Sequence, residues 1–281
     1  MKVLVFGRTG QVATEVQRRG DVIALGRAQA DLSDPAACGV AIVAHAPDVV
    51  INAAAYTAVD KAEEEEALAH VINADAPGVM AQTCAARGIP MVHISTDYVF
   101  AGTGQAAWQE TDPNAPQNAY GRTKLAGEQA VIASGARAVI LRTSWVFSAH
   151  GNNFVKTMLR LSDTRDALSV VEDQIGGPTP AADIAATCLR IAQAMVNGQG
   201  AGIYHYAGAP ATSWADFARA IFEQAGREVA VTGIPTADYP TPASRPLNSR
   251  MEGAKLLTDF GITPSDWQAG LRAVLKELGH A

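Results

Sequence analysis

The sequence predicts an α/β protein: a doubly wound parallel sheet with a smaller C-terminal α/β lobe. Three observations carry this. Short apolar runs alternate with longer helix-like stretches through the first half, the pattern of βαβ units. The runs are unbroken rather than alternating, as strands covered on both faces are. A glycine turn separates the first run from the first helical stretch, where such sheets bind ligands.

The elements follow in order. Lys2 to Phe6 reads as a strand and Gln11 to Arg19 as an amphipathic helix. Val22 to Leu25 is a second strand. Pro35 to Ala46 is a helix, with proline in its first turn and Ser33 or Asp34 as N-cap. Val49 to Ile51, Val92 to Ile94 and Val139 to Leu141 are further strands, separated by helices over Val71 to Arg87 and Ala119 to Ile132. Beyond residue 148 the rhythm loosens and prolines gather. Helices are expected at Phe154 to Leu161, Asp183 to Val196, Trp214 to Ala225 and Trp267 to Leu278, with one strand at Ile203 to Ala207. Residues 1–148 are expected to bind a cofactor. Residues 149–281 should mainly form a substrate lobe, with some segments returning to the sheet.

Bulk properties narrow the classes. With 281 residues, 48% hydrophobic and 18% charged, the chain can build a core of one large domain or two intimate ones and is not a disordered type. A net charge of -6 and the lack of a basic stripe exclude a nucleic-acid partner. No apolar run approaches the ~18 residues that span a bilayer, so no membrane partner is expected. Met1-Lys2 leads straight into the first strand, which suggests no signal peptide and a cytoplasmic address. Cys38, Cys84 and Cys188 stand far apart in alanine-rich stretches and read as buried core thiols. The six histidines and the acids show no metal-ligand spacing, so no metal site is expected. Glu63 to Glu66 reads as a solvated helix face. His93 and His205 read as packed strand histidines.

Gly7-Arg8-Thr9-Gly10-Gln11-Val12-Ala13 lies between the first strand and the first helix. Glycine there lets backbone approach a pyrophosphate, and the helix N-terminus offers free N–H groups. Gly7, Arg8, Gly10, Gln11 and Val12 are therefore cofactor candidates for a Rossmann-type domain. Sites for NAD place an acid at the end of the second strand to hold the ribose. Here the strand ends Leu25-Gly26-Arg27, and no acid occurs before Asp31. Arg27 and Arg8 suit a 2′-phosphate, so NADPH is the expected cofactor. NADH stays open, because the turn can bring Asp31 to the ribose. Asp31, Leu32 and the small residues Ala53, Ala54 and Ala55 complete the cofactor set; for the alanines, plain loop packing is an equal reading.

Tyr120 and Lys124 are four residues apart in a helix, so both side chains share one face. A phenol has a pKa near ~10, and a neighbouring ammonium lowers it. Thr96 follows the fourth strand, at the carboxyl end where such sheets hold ligands. Thr96, Tyr120 and Lys124 form the catalytic candidates.

Together the glycine loop, this hydroxyl and Tyr-x-x-x-Lys resemble the extended short-chain dehydrogenase/reductase superfamily. Longer strings are similar to its dTDP-4-dehydrorhamnose reductase family: Asn52 to Asp60, Ser95 to Phe100, Arg142 to Phe147, Asn152 to Phe154, Asp173-Gln174 with Gly176, Pro178 and Thr179, and Arg245-Pro246 with Asn248-Ser249. The resemblance implies reduction of a 4-keto group on a dTDP-6-deoxyhexulose by NADPH. Tyr120 would protonate the oxygen, Thr96 would hydrogen-bond it, and Lys124 would lower the tyrosine pKa and hold the ribose. It also implies that Thr96, Tyr98, Trp145, Asn153 and Arg245 bind the sugar nucleotide. For Trp145, core packing is the simpler reading without the family. Ala13 and Gly177 depart from the glycine and serine more usual there. Tyr98 stands where dehydratases of the superfamily carry a glutamate, which argues for simple reduction. An epimerase or another reductase of nucleotide sugars, or a cofactor-binding regulatory subunit, are the alternative readings. A monomer or homodimer is expected.

Overall fold

The computed structural model describes residues 1–280. Its first half is built from β1 (Val3–Phe6), α1 (Gln11–Arg19), β2 (Val22–Leu25), α2 (Pro35–His45), β3 (Val49–Asn52), α3 (Val59–Ala62), α4 (Glu66–His70), α5 (Ala76–Arg87), β4 (Met91–Thr96), α6 (Ala119–Ala133) and β5 (Ala138–Thr143). There follow β6 (Val146–Phe147), α7 (Phe154–Ser162), β7 (Ala167–Val171), β8 (Ile175–Gly176), β9 (Thr179–Pro180), α8 (Ala181–Val196) and β10 (Gly202–His205). The last part holds β11 (Gly208–Ala209), β12 (Thr212–Ser213), α9 (Trp214–Gln224), β13 (Ala230–Ile234), β14 (Asn248–Ser249), α10 (Ala254–Phe260), β15 (Ser265–Asp266) and α11 (Trp267–Glu277).

Six parallel strands form the main sheet in the order β10-β5-β4-β3-β1-β2. The chain steps from β1 outward to β2, then returns to β3 on the other side of β1. That reversal leaves a crevice at the carboxyl ends of β1 and β3, the place where open α/β sheets bind ligands. Both faces of the sheet are covered. Val12, Val16, Ile184 and Cys188, from α1 and α8, pack with Val3 and Val5 on one side. Ile42, Met80, Cys84 and Val131, from α2, α5 and α6, pack with Leu4 and Phe6 on the other. The unbroken apolar strands of the sequence are thus explained: β1 and β3 are buried at every position. A separate core gathers Phe147, Met158, Phe217, Phe222 and Leu271 from β6, α7, α9 and α11. The three cysteines are free and buried, and burial pushes each thiol up to about 12, which leaves them unreactive.

Asp34 caps α2, its carboxylate accepting the Ala37 N–H at 3.4 Å. The helix expected over Val71 to Arg87 begins earlier, at Glu66, and passes through a π-helical turn at Val71–Asp75. Pro77 lies just beyond that turn; its ring lacks an N–H and crowds the carbonyl four residues back, which opens the turn. The side chain of Asn73 is thereby set between two segments. It bonds the backbone of Tyr56 at 2.8 and 3.1 Å and the Thr123 hydroxyl at 3.1 Å, next to Lys124.

Glu63 to Glu66 is not a plain solvated face. Glu63 accepts the Ala119 N–H at 2.7 Å, Glu65 accepts the Tyr56 hydroxyl at 2.7 Å, and Glu66 takes Arg122 in a two-pronged bond at 2.8 Å. Glu63 and Glu66 meet the N-terminal turn of α6, whose free N–H groups favour negative charge.

The sequence also hid a polar cluster. Glu15, His150 and Glu277 offer ligand atoms that all lie within 4.8 Å of one another. Their separation along the chain made it invisible to spacing rules. Arg18 Nη1 lies 2.6 Å from Glu277 and 2.9 Å from His150 Nε2, and Arg19 pairs with Glu15. These guanidinium groups supply the positive charge that the acids need.

Candidate active site

Gly7 follows β1 with φ +112°, a left-handed conformation that L side chains avoid. A Cβ there would lie 3.2 Å from the Ala13 Cβ and 3.3 Å from the Ala53 backbone. The glycine lets the two loops at the crevice close on each other. Gly10 opens α1 without a side-chain cap, so the first N–H groups of this helix stay free for an anion.

Above these loops runs a cleft of about 900 Å³. Its walls include Gly7, Arg8, Gly10, Gln11 and Val12 from the first turn, and Ala53, Ala54 and Ala55 from the turn after β3. Arg27, Asp31 and Leu32 line it beyond β2. The glycine cradle, the uncapped helix and two arginines fit a dinucleotide. Arg27 is 80% exposed, with its Nε 3.6 Å from Asp31 Oδ2. Asp31 is otherwise engaged in its own turn: Oδ1 accepts the Ser33 N–H at 2.9 Å, and this bond holds its carboxyl below the usual range.

Thr96, Tyr98, Tyr120, Lys124 and Trp145 line the same cleft. Thr96 ends β4. Its Oγ1 donates to Asp97 at 3.0 Å and accepts the Tyr98 N–H at 3.2 Å. Asn118 caps α6 by accepting the Gly121 N–H at 2.8 Å, which fixes the turn that carries Tyr120. The Tyr98 and Tyr120 rings meet edge to face at 5.4 Å. Lys124 is buried, and its Nζ donates to the Ile94 carbonyl at 2.7 Å. Burial lowers this ammonium to about 8, against Glu128, which raises it. Trp145 has φ +48° and stacks on Trp214 at 3.6 Å, presenting its ring as a flat wall.

Burial raises the Tyr120 phenol above its ordinary value; the Thr96 hydroxyl opposes this and Asp97 adds to it. The physical reason is desolvation of the phenolate by the packed wall of the cleft. At neutral pH Tyr120 is therefore a phenol, the state of a proton donor.

Two expected residues stand outside the cleft lining. Asn153 caps α7, and its amide is spent on Gln11 at 3.0 Å and on the Ser148 carbonyl at 2.7 Å. Arg245 is held by Asp60 at 2.7 Å. Asn153 thereby fixes Gln11 on the cleft wall, and Arg245 lies close enough to Tyr98 for its charge to act on that phenol. Asp97, assigned no separate role from sequence, is buried on the cleft. Desolvation raises its carboxyl to about 6, with Ser249 and Thr96 opposing. Neither Asp97 Oδ2 nor Ser249 Oγ completes a hydrogen bond. An acid directly after the strand-end threonine was the available signal.

Residues 1–280 match the RmlD substrate binding domain family. The chain belongs to this family. A relative from Salmonella typhimurium, named dTDP-4-dehydrorhamnose reductase, is 44% identical over 99% of this chain and 98% of its own. A solved dTDP-4-dehydrorhamnose reductase from Clostridium acetobutylicum has a TM-score of 0.93 and 38% identity, covering 99% of this chain and all of that one. Another, from Bacillus anthracis and in complex with NADP, also has a TM-score of 0.93, at 34% identity and with 99% of this chain and 100% of that one covered. The two departures from the family pattern are both packed. Ala13 is fully buried against Gly7. At Gly177 a Cβ would meet the Gly208 carbonyl oxygen at 2.2 Å, so this backbone leaves no room for serine. Its own carbonyl accepts the hydroxyls of Ser144 and Thr179, at 3.0 and 2.9 Å, and thus braces the loop before Trp145.

Proposed function

We propose that this protein reduces the 4-keto group of dTDP-4-dehydrorhamnose to give dTDP-L-rhamnose, with NADPH as its reductant. The observation that carries this reading is the convergence of Thr96, Tyr120 and Lys124 on the same cleft as the glycine cradle. Family membership and relatives of that name support it. Residues 1–148 would hold the cofactor, and 149–281 mainly the sugar nucleotide. No helix among the described residues is long and apolar enough to cross a membrane.

NADPH supplies hydride to C4 when bound. Tyr120 then gives its proton to the developing alkoxide; its raised pKa keeps that proton in place until the oxygen becomes a stronger base. Thr96 Oγ1, which accepts the Tyr98 N–H, would donate to the same oxygen by swinging its one hydrogen away from Asp97. Lys124, anchored on the Ile94 carbonyl, would hold the cofactor ribose. Trp145, stiffened by Trp214, gives an apolar platform for the sugar ring. Tyr98 closes the other side.

The test supplies purified protein with NADPH and the dTDP-4-keto sugar and follows loss of nicotinamide absorbance. Rapid oxidation is expected, falling about 10²- to 10⁴-fold in Tyr120→Phe, the usual worth of a general acid. Binding of both ligands without oxidation would defeat the reading and favour an epimerase or a regulatory subunit.

A further inference from the structure

The reduction makes no direct use of His93, which is fully buried in β4, three residues before Thr96. Its Nδ1 lies 3.1 Å from Asn52 Nδ2, and its Nε2 lies 3.5 Å from Lys124 Nζ. The far side of the Asn52 amide is fixed, because Oδ1 accepts the Ala54 N–H at 3.2 Å. An amide nitrogen only donates. His93 Nδ1 must therefore carry the lone pair, and the ring proton sits on Nε2, facing the lysine. The ring cannot take a second proton, since burial and Lys124 hold it well below the ordinary histidine value.

This sets two states of Lys124 against each other. An ammonium meets an N–H where it needs an acceptor. A neutral amine receives that N–H on its lone pair. Glu128, one turn later on α6, favours the ammonium, although it is shared with Arg142 of β5. Tyr120, one turn earlier, is the other titratable group on this face of α6. From β4 comes His93, and from β3 the neutral Asn52 alone.

We propose that His93 is a positioning residue for Lys124: locked as the Nε2–H tautomer by Asn52, it ties the Ala53–Ala55 wall to the lysine and restrains the lysine's protonation. The proposal rests on the reading of Lys124 given above, but its first test needs no turnover. The full chain, labelled with ¹⁵N-histidine, is titrated by NMR from about pH 6 to about pH 10, a range that brackets the lysine. His93 should remain a neutral Nε2–H tautomer throughout. Its Nε2 resonance should shift as Lys124 loses its proton, and that shift should vanish in Lys124→Met. In His93→Phe, which keeps a ring without the N–H, the lysine limb of the kcat profile should move up by about half a unit, or about threefold in proton affinity. An Nδ1–H tautomer, or a resonance indifferent to Lys124→Met in protein that still binds cofactor, would overturn it. A protein that shows the coupling but fails to oxidise NADPH would sink the reductase reading and leave this one standing.

Discussion

Glu128→Gln is the most demanding test of the packing behind the cleft. Glu128 and Arg142 are 1% and 0% exposed at their side chains, and they pair through two bonds of 2.9 and 2.6 Å. The carboxylate also accepts the Ser95 hydroxyl at 2.5 Å. Arg142 spends the rest of its guanidinium on Asn114 at 3.2 Å and on the face of Phe100 at 4.9 Å, and its Nη1 finds no partner. Glutamine keeps the volume but removes the charge, and its one carbonyl cannot serve both prongs. A buried cation left without its anion costs about 3–5 kcal/mol. Set against a total of about 5–15 kcal/mol for a typical domain, that is a large share. Urea unfolding followed by far-UV circular dichroism should show the midpoint falling by about 1 M or more, for a slope near ~3 kcal/mol per M. The double variant Glu128→Gln/Arg142→Met should cost less than Glu128→Gln alone, because it removes the stranded charge. A loss under ~1 kcal/mol in the single variant would refute the buried ion pair as described.

Other outcomes follow from the same geometry. Arg27→Ala should raise KM for NADPH about tenfold, the low end for a charge-assisted bond at so exposed a side chain, and leave NADH unchanged; equal losses with both cofactors would remove Arg27 from phosphate recognition. Asp97 is raised to about 6 in the folded chain, so it binds its proton more tightly there than when unfolded. Its contribution is present at low pH and lost as pH rises through about 6. Asp97→Asn should therefore gain stability at pH 7, up to about 3 kcal/mol, and gain nothing near pH 4. Urea curves at the two pH values decide this, and a gain that is the same at both would contradict it. Gly177→Ser should destabilise by about 1–3 kcal/mol, since its Cβ cannot fit beside the Gly208 carbonyl; an unchanged thermal midpoint would show that this loop yields freely.

Much of the fold was legible in the sequence because local rules decide it. The strands from β1 to β5 announce themselves as apolar runs, and α1 and β2 fall where periodicity puts them. The glycine loop could be placed from chain order alone, as could the pairing of Tyr120 with Lys124, which needs only helix geometry. Tertiary structure decided the rest. Asn153 and Arg245 pair with Gln11 and Asp60, and partners distant in sequence leave no local mark. The Tyr120 phenol is raised because its pKa depends on how completely neighbouring elements shut out water, which no spacing encodes. Glu15, His150 and Glu277 meet only because α1, the loop before α7 and α11 converge. His93 read as an ordinary strand residue. Its place between Asn52 and Lys124 exists only once β3, β4 and α6 are packed, and that packing fixes which nitrogen bears the proton.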